Sequence, residues 1–86
     1  MRDEIDHKDL LILSTFYKNP ATSVRDICAL VLIKAPSVVM YRLRKLEELE
    51  LLAPPPEEGM HRSRKITPKG IYLLEQQGLL KHANRT

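Results

Sequence analysis

The side chains that could grip another molecule in this chain are cationic, and they gather in two places. From Lys34 to Lys45 stand four bases, Lys34, Arg42, Arg44 and Lys45, with no acid between them. From Gly59 to Leu74 stand four more, Arg62, Arg64, Lys65 and Lys69, again with no acid. The first thirty-three residues hold five acids against four bases, so the net charge of +3 is not spread evenly. Scattered Lys and Arg ordinarily mean a solvated face. Here the two segments also carry sequence motifs, and the combination suits a phosphate backbone.

Catalytic chemistry finds little to work with. The chain has no G-x-x-x-x-G-K, G-x-G-x-x-G, H-E-x-x-H or G-x-S-x-G pattern. His7, His61 and His82 are far apart in sequence, and each has the ordinary reading of a surface histidine. The single Cys28 can form no internal disulfide, and no His/Cys pair has metal-ligand spacing. Cys28 is expected on the inner half of a helix as a buried thiol, with Arg25 one turn away as its sole basic neighbour. The expectation is therefore a protein that is not an enzyme and needs no metal or cofactor.

Composition narrows the class. Eighty-six residues make one small domain, and the 43% apolar content argues against a disordered chain. One Phe and no Trp imply an aliphatic core of Leu, Ile and Val. The charged start Met1-Arg2-Asp3-Glu4 is unlike a signal peptide, and the seven-residue apolar run from Ile27 to Ile33 is too short to span a bilayer. A cytoplasmic protein with no membrane partner is expected.

The elements that must position the cations are readable from caps and periodicity. A first helix starts at Asp6, with Asp9 three residues on, and with Ile5 and Leu10 in the staple positions. Leu10, Leu13 and Tyr17 give its inner stripe, and Asn19-Pro20 ends it with a left-handed cap. Ala21-Thr22 forms a short extended piece that could pair with a later hairpin. A second helix starts at Ser23 with Asp26 as its capping-box partner, and Ile27, Leu30 and Val31 face inward. After a turn at Leu32-Ile33-Lys34, a third helix begins around Ala35 to Ser37, with Pro36 in its first turn.

Val39, Leu43 and Leu46 lie at i, i+4 and i+7 and form one core stripe. Ser37, Met40, Tyr41, Arg44 and Lys45 then take the opposite face, with Arg42 on the flank. Leu52-Ala53 starts a strand, Pro54-Pro55-Pro56-Glu57-Glu58-Gly59 makes a turn, and His61 to Ile66 returns. Thr67 caps a last helix, with Pro68 its first residue and Gly78 its stop. Residues 79–86 are either a helical extension or a frayed tail. The fold class is mostly α with a small β-hairpin, in the order α-α-α-β-β-α, with a core from 6 to 78 in a single domain of residues 1–86.

Three motifs in that order resemble the winged helix-turn-helix transcriptional regulators of the broad MarR and ArsR type. Ser23-Val24-Arg25-Asp26-Ile27-Cys28 is similar to their T-x-x-E-L-A opening. Leu43-Arg44-Lys45-Leu46-Glu47-Glu48-Leu49-Glu50-Leu51-Leu52 is similar to L-x-x-L-E-x-x-G-L-V, and Ile66-Thr67-Pro68-Lys69-Gly70 to L-T-x-K-G. The chain departs in having Glu50 where those proteins have Gly, which calls for a different exit from the third helix. The turn before that helix is one residue longer, and His61-Arg62 stands near their Asp-Arg wing pair. The resemblance implies a dimer on double-stranded DNA, with the third helix in the major groove and the wing over the minor groove.

On that reading Ser37, Met40, Tyr41 and Arg44 reach base edges, while Lys34, Arg42 and Lys45 meet the backbone. His61, Arg62, Arg64 and Lys65 belong to the wing, where Arg62 and Arg64 share one strand face and Lys65 takes the other. The acids Glu47, Glu48 and Glu50 sit at the far end of the helix, as expected if its N-terminal half enters the groove. A homodimer is expected through Tyr72, Leu73, Leu79 and Leu80, with help from Leu11 and Phe16. Two other readings stay open: a winged-helix protein-interaction module, and a phage or plasmid replication or partition protein.

Overall fold

The computed structural model describes residues 5–54 and 64–80. The elements run α1 (His7–Lys18), α2 (Val24–Val31), α3 (Pro36–Glu48), β1 (Leu52–Ala53), β2 (Lys65–Ile66) and α4 (Pro68–Gln76). This is the expected order of three helices, a hairpin and a last helix. The strands pair antiparallel, Leu52 opposite Ile66 and Ala53 opposite Lys65. The expected hairpin tip beyond Pro54, the start of the second strand at His61, and the tail from 81 onward lie outside the described residues.

Local chemistry sets the helix starts. Asp6 accepts from the Asp9 N–H at 3.0 Å, and the Asp6 N–H donates to Asp9 Oδ2 at 3.2 Å, a reciprocal capping box. Ser23 and Asp26 repeat the arrangement at α2. Pro36 opens α3 without a side-chain cap, and Thr67 caps α4 by accepting from the Gly70 N–H at 3.0 Å.

Three helix ends share one device. Leu32, Glu50 and Gly78 each take a left-handed backbone, with φ of 60°, 64° and 72°. In each case the next N–H reaches back five residues: Ile33 to Cys28 O, Leu51 to Leu46 O, and Leu79 to Leu74 O. These bonds satisfy carbonyls that the helix itself leaves open. The exit from α3 therefore keeps the usual left-handed geometry with Glu50 in the glycine seat, and no different route is needed. Asn19 behaves otherwise: its φ is −149°, and it turns the chain by accepting from the Ala21 N–H and the Thr22 hydroxyl. The expected left-handed cap there is corrected.

The core joins all these elements through Ile12, Leu13, Phe16, Ile27, Val39 and Leu74 among others. The inner stripe of α3 is Val39, Leu43 and Leu46, as the spacing predicts. The stripe of α1 is different: Asp9, Ile12, Leu13 and Phe16 are buried, while Tyr17 is exposed and Leu10 half-buried. The run Leu10-Leu11-Ile12-Leu13 fits more than one helical phase, and the deciding residue is a buried aspartate. On α2 Leu30 turns out to be exposed, leaving Ile27 and Val31 inside. On α4 the buried pair is Gly70 and Leu74, and Ile71 is half-buried.

Gly70 shows why this position holds no side chain. A Cβ there would stand 2.7 Å from Ile66 Cγ1 and closer still to the Leu51 carbonyl oxygen. The last helix thus presses directly on the strand pair. The extended piece near Ala21-Thr22 forms no strand; the link there is one bond, from the Arg64 N–H to Pro20 O at 3.1 Å.

Candidate nucleic-acid interface

The core stripe of α3 turns Ser37, Tyr41 and Arg44 outward, and all three are exposed. Tyr41 is 68% exposed, which places its ring and hydroxyl within reach of a partner. Val38 and Glu48 share that surface, Glu48 at the far end. Met40, expected among the base-reading positions, is half-buried and packs against the core, so it shows less of itself than the other three. Lys34 is exposed just ahead of the helix, in the turn that Leu32 closes.

The flanks of α3 are occupied differently from the expectation. Arg42 Nη1 donates to Asp6 Oδ1 at 2.7 Å and Oδ2 at 2.9 Å, and to Asp9 Oδ1 at 3.0 Å. Lys45 Nζ meets the other oxygen, Asp9 Oδ2, at 2.6 Å. Both cationic side chains are 19% exposed, and Asp9 is wholly buried beneath them. Arg42 and Lys45, expected on the DNA backbone, are thus both engaged within the chain, where they bind α3 to the start of α1. The Arg42 Nε is buried with no hydrogen-bond partner.

Asp6 reflects the cluster in its acidity. Burial raises its pKa, but the bonds from Arg42 and the Asp9 N–H, with the charge of Arg42, outweigh that and bring it to about 2. Arg42 feels burial against it as well, and its pairs with Asp6 and Asp9 hold it more firmly protonated.

On the opposite flank, Arg64 Nε donates to Glu47 Oε2 at 2.9 Å, with Arg64 nearly buried. Arg64, expected as a wing residue, ties the hairpin base to α3. The alternation along that strand holds, because Lys65 points outward and is exposed. His61 and Arg62, the other two wing residues, lie outside the described residues.

The expected dimer residues also divide. Tyr72 and Leu79 are exposed, whereas Leu73 and Leu80 are half-buried and pack against the core. Leu11 is half-buried against the core, and Phe16 is buried within it, so α1 does not offer Phe16.

One residue near the interface escaped sequence reasoning. Arg25, exposed in the first turn of α2, lines a groove of about 800 Å³ together with Ser23, Val24, Cys28, Lys34 and Pro36. The groove runs beside the start of α3 and has two cations and no acid on its walls. Its signal in the sequence, a lone Arg beside Asp26, is too common to single out. Among the described residues no group of three or more His, Cys, Asp or Glu could hold a metal, and no helix is long and apolar enough to cross a membrane.

The family model described as winged helix-turn-helix DNA-binding matches residues 5–52, more than half of the chain. The chain belongs to that family, and its four helices with an antiparallel strand pair agree with a winged helix. Comparison with curated proteins and with solved structures gives no significant match.

Proposed function

We propose that this DNA-binding chain is a sequence-specific transcriptional regulator acting as a homodimer in the cytoplasm. Ser37, Tyr41 and Arg44 read base edges in the major groove, while Lys34, Arg25 and Lys65 hold the backbone on either side. It binds without catalysing a reaction, and blocks or recruits by occupying its site. The observation that supports this most is the outer face of α3, which exposes a Tyr and an Arg between two flanks already closed by ion pairs.

Arg is the commonest bidentate reader of guanine, and a tyrosine can meet a phosphate or stack its ring. One module of this size covers only a few base pairs. Two copies related by a two-fold axis would place their α3 helices about 34–36 Å apart on a palindrome. Selection of bound fragments from random duplex DNA tests this reading. It should return a short motif in two inverted copies. Recovery of fragments without any common motif would count against a regulator that reads sequence.

A further inference from the structure

Helix α3 is held from three sides. Its core stripe faces inward, Arg42 and Lys45 join it to α1, and Glu47 joins it to Arg64 at the base of the hairpin. At about 100° per residue, Tyr41 stands roughly 100° from Arg42 and roughly 120° from Glu47. The outward face is therefore centred between the two braces. The brace through Arg42 is not built as a simple gain in stability. Buried ion pairs add little over apolar pairs of the same shape, and this one leaves the Arg42 Nε buried without a partner.

The braces also decide where three cations go. Arg42, Lys45 and Arg64 all fall in the two basic segments, yet each is turned onto an acid of its own chain. A cation that reaches phosphate adds affinity for every sequence alike and steepens the salt dependence. Base contacts, in contrast, depend on the rotation of the helix that carries them.

We propose that Asp9 and Glu47 are positioning residues that set the sequence discrimination of α3 without touching DNA. They fix the rotation of the helix between α1 and the hairpin, and they keep three cations off the phosphates. This rests on α3 being the reading helix. Losing either acid would loosen the base-reading face and release a long cationic side chain to any nearby backbone. Affinity for the selected site would stay level or fall while affinity for random DNA rose.

Fluorescence anisotropy on a selected duplex and a random duplex of equal length, over a range of salt, tests this with the intact chain. Glu47→Gln should bind random DNA about threefold more tightly, with a salt slope steeper by about one. Its preference for the selected duplex should fall about fivefold or more. Adding Arg64→Met to Glu47→Gln should return random-DNA affinity and salt slope to the wild-type values, a reversal that general loosening of the fold would not give. Asp9→Asn should likewise lose preference. Should that variant unfold, Asp6→Asn, on the open side of the same brace, takes its place. Unchanged preference and unchanged salt slope on both flanks would overturn the inference and leave the proposed function standing. A wild-type chain that bound no duplex at all would remove both.

Discussion

Asp6 serves two neighbours at once, capping α1 and holding Arg42 of α3. Its folded pKa of about 2 lies below the usual 3.8, so the unfolded chain takes up the proton first as acid is added. The stabilisation is thus complete above about pH 4 and is lost as pH falls through about 2. The side chain is half open to water, which screens the pair and keeps its worth small. An NMR titration of the Asp6 carboxyl carbon should show a midpoint near 2 in the wild type and a return toward 3.8 in Arg42→Met. A wild-type midpoint already at 3.8 would mean that the pair is not formed. Glu50 offers a different test of the local geometry. Its left-handed backbone costs a non-glycine residue roughly 1–2 kcal/mol, part of which glycine gives back through its greater freedom when unfolded. Glu50→Gly should stabilise the chain by about 0.5–1 kcal/mol in a denaturant melt. A loss of stability would show that the Glu50 side chain contributes more than its strained backbone costs.

The helices were legible where their signals are local. Both capping boxes, Pro36, Thr67 with Pro68, and Gly78 act within a few residues of themselves, and each stands where the sequence puts it. The Ile66-Thr67-Pro68-Lys69-Gly70 motif even has its physical reason: the cap needs Thr67, and the approach of α4 to Leu51 and Ile66 leaves no space for a Cβ on Gly70. What could not be read are the pairings that cross between elements. Asp9 looks like a surface residue from its type, and only the cations thirty-three and thirty-six residues later make its burial tolerable. For the same reason the pairing of Arg42, Lys45 and Arg64 could not be foreseen, since a cation in a basic segment shows no sign of the acid it will meet. The hairpin base should reveal the difference. Arg64→Ala should cost about 1–3 kcal/mol of stability, because Glu47 is left without its partner in a nearly closed site. Its affinity for random DNA, measured well below its melting temperature, should stay within twofold of wild type, while its preference for the selected duplex falls with the lost brace. A large loss of affinity with an unchanged melt would return Arg64 to the DNA face.

For the molecule as a whole, the proposed homodimer requires a surface on which two copies could meet. Leu73 and Leu80 are half-buried against the core, which leaves Tyr72 and Leu79 as the more exposed of the expected dimer residues. Light scattering on the intact chain at micromolar concentration should give twice the chain mass, and Tyr72→Glu with Leu79→Glu should give the monomer at an unchanged melting temperature. A monomeric intact chain would end the dimer and the expected palindrome together. The proposed reading of bases by the outer face of α3 rests most on Arg44, which is exposed there. Titration of wild type and Arg44→Ala against the selected duplex and random DNA tests it directly. The expected result is a loss of about 1–3 kcal/mol on the selected duplex, relaxed preference at one base pair, and little change on random DNA. Equal loss on both would move Arg44 to the backbone, and no loss on either would contradict a reading role for α3.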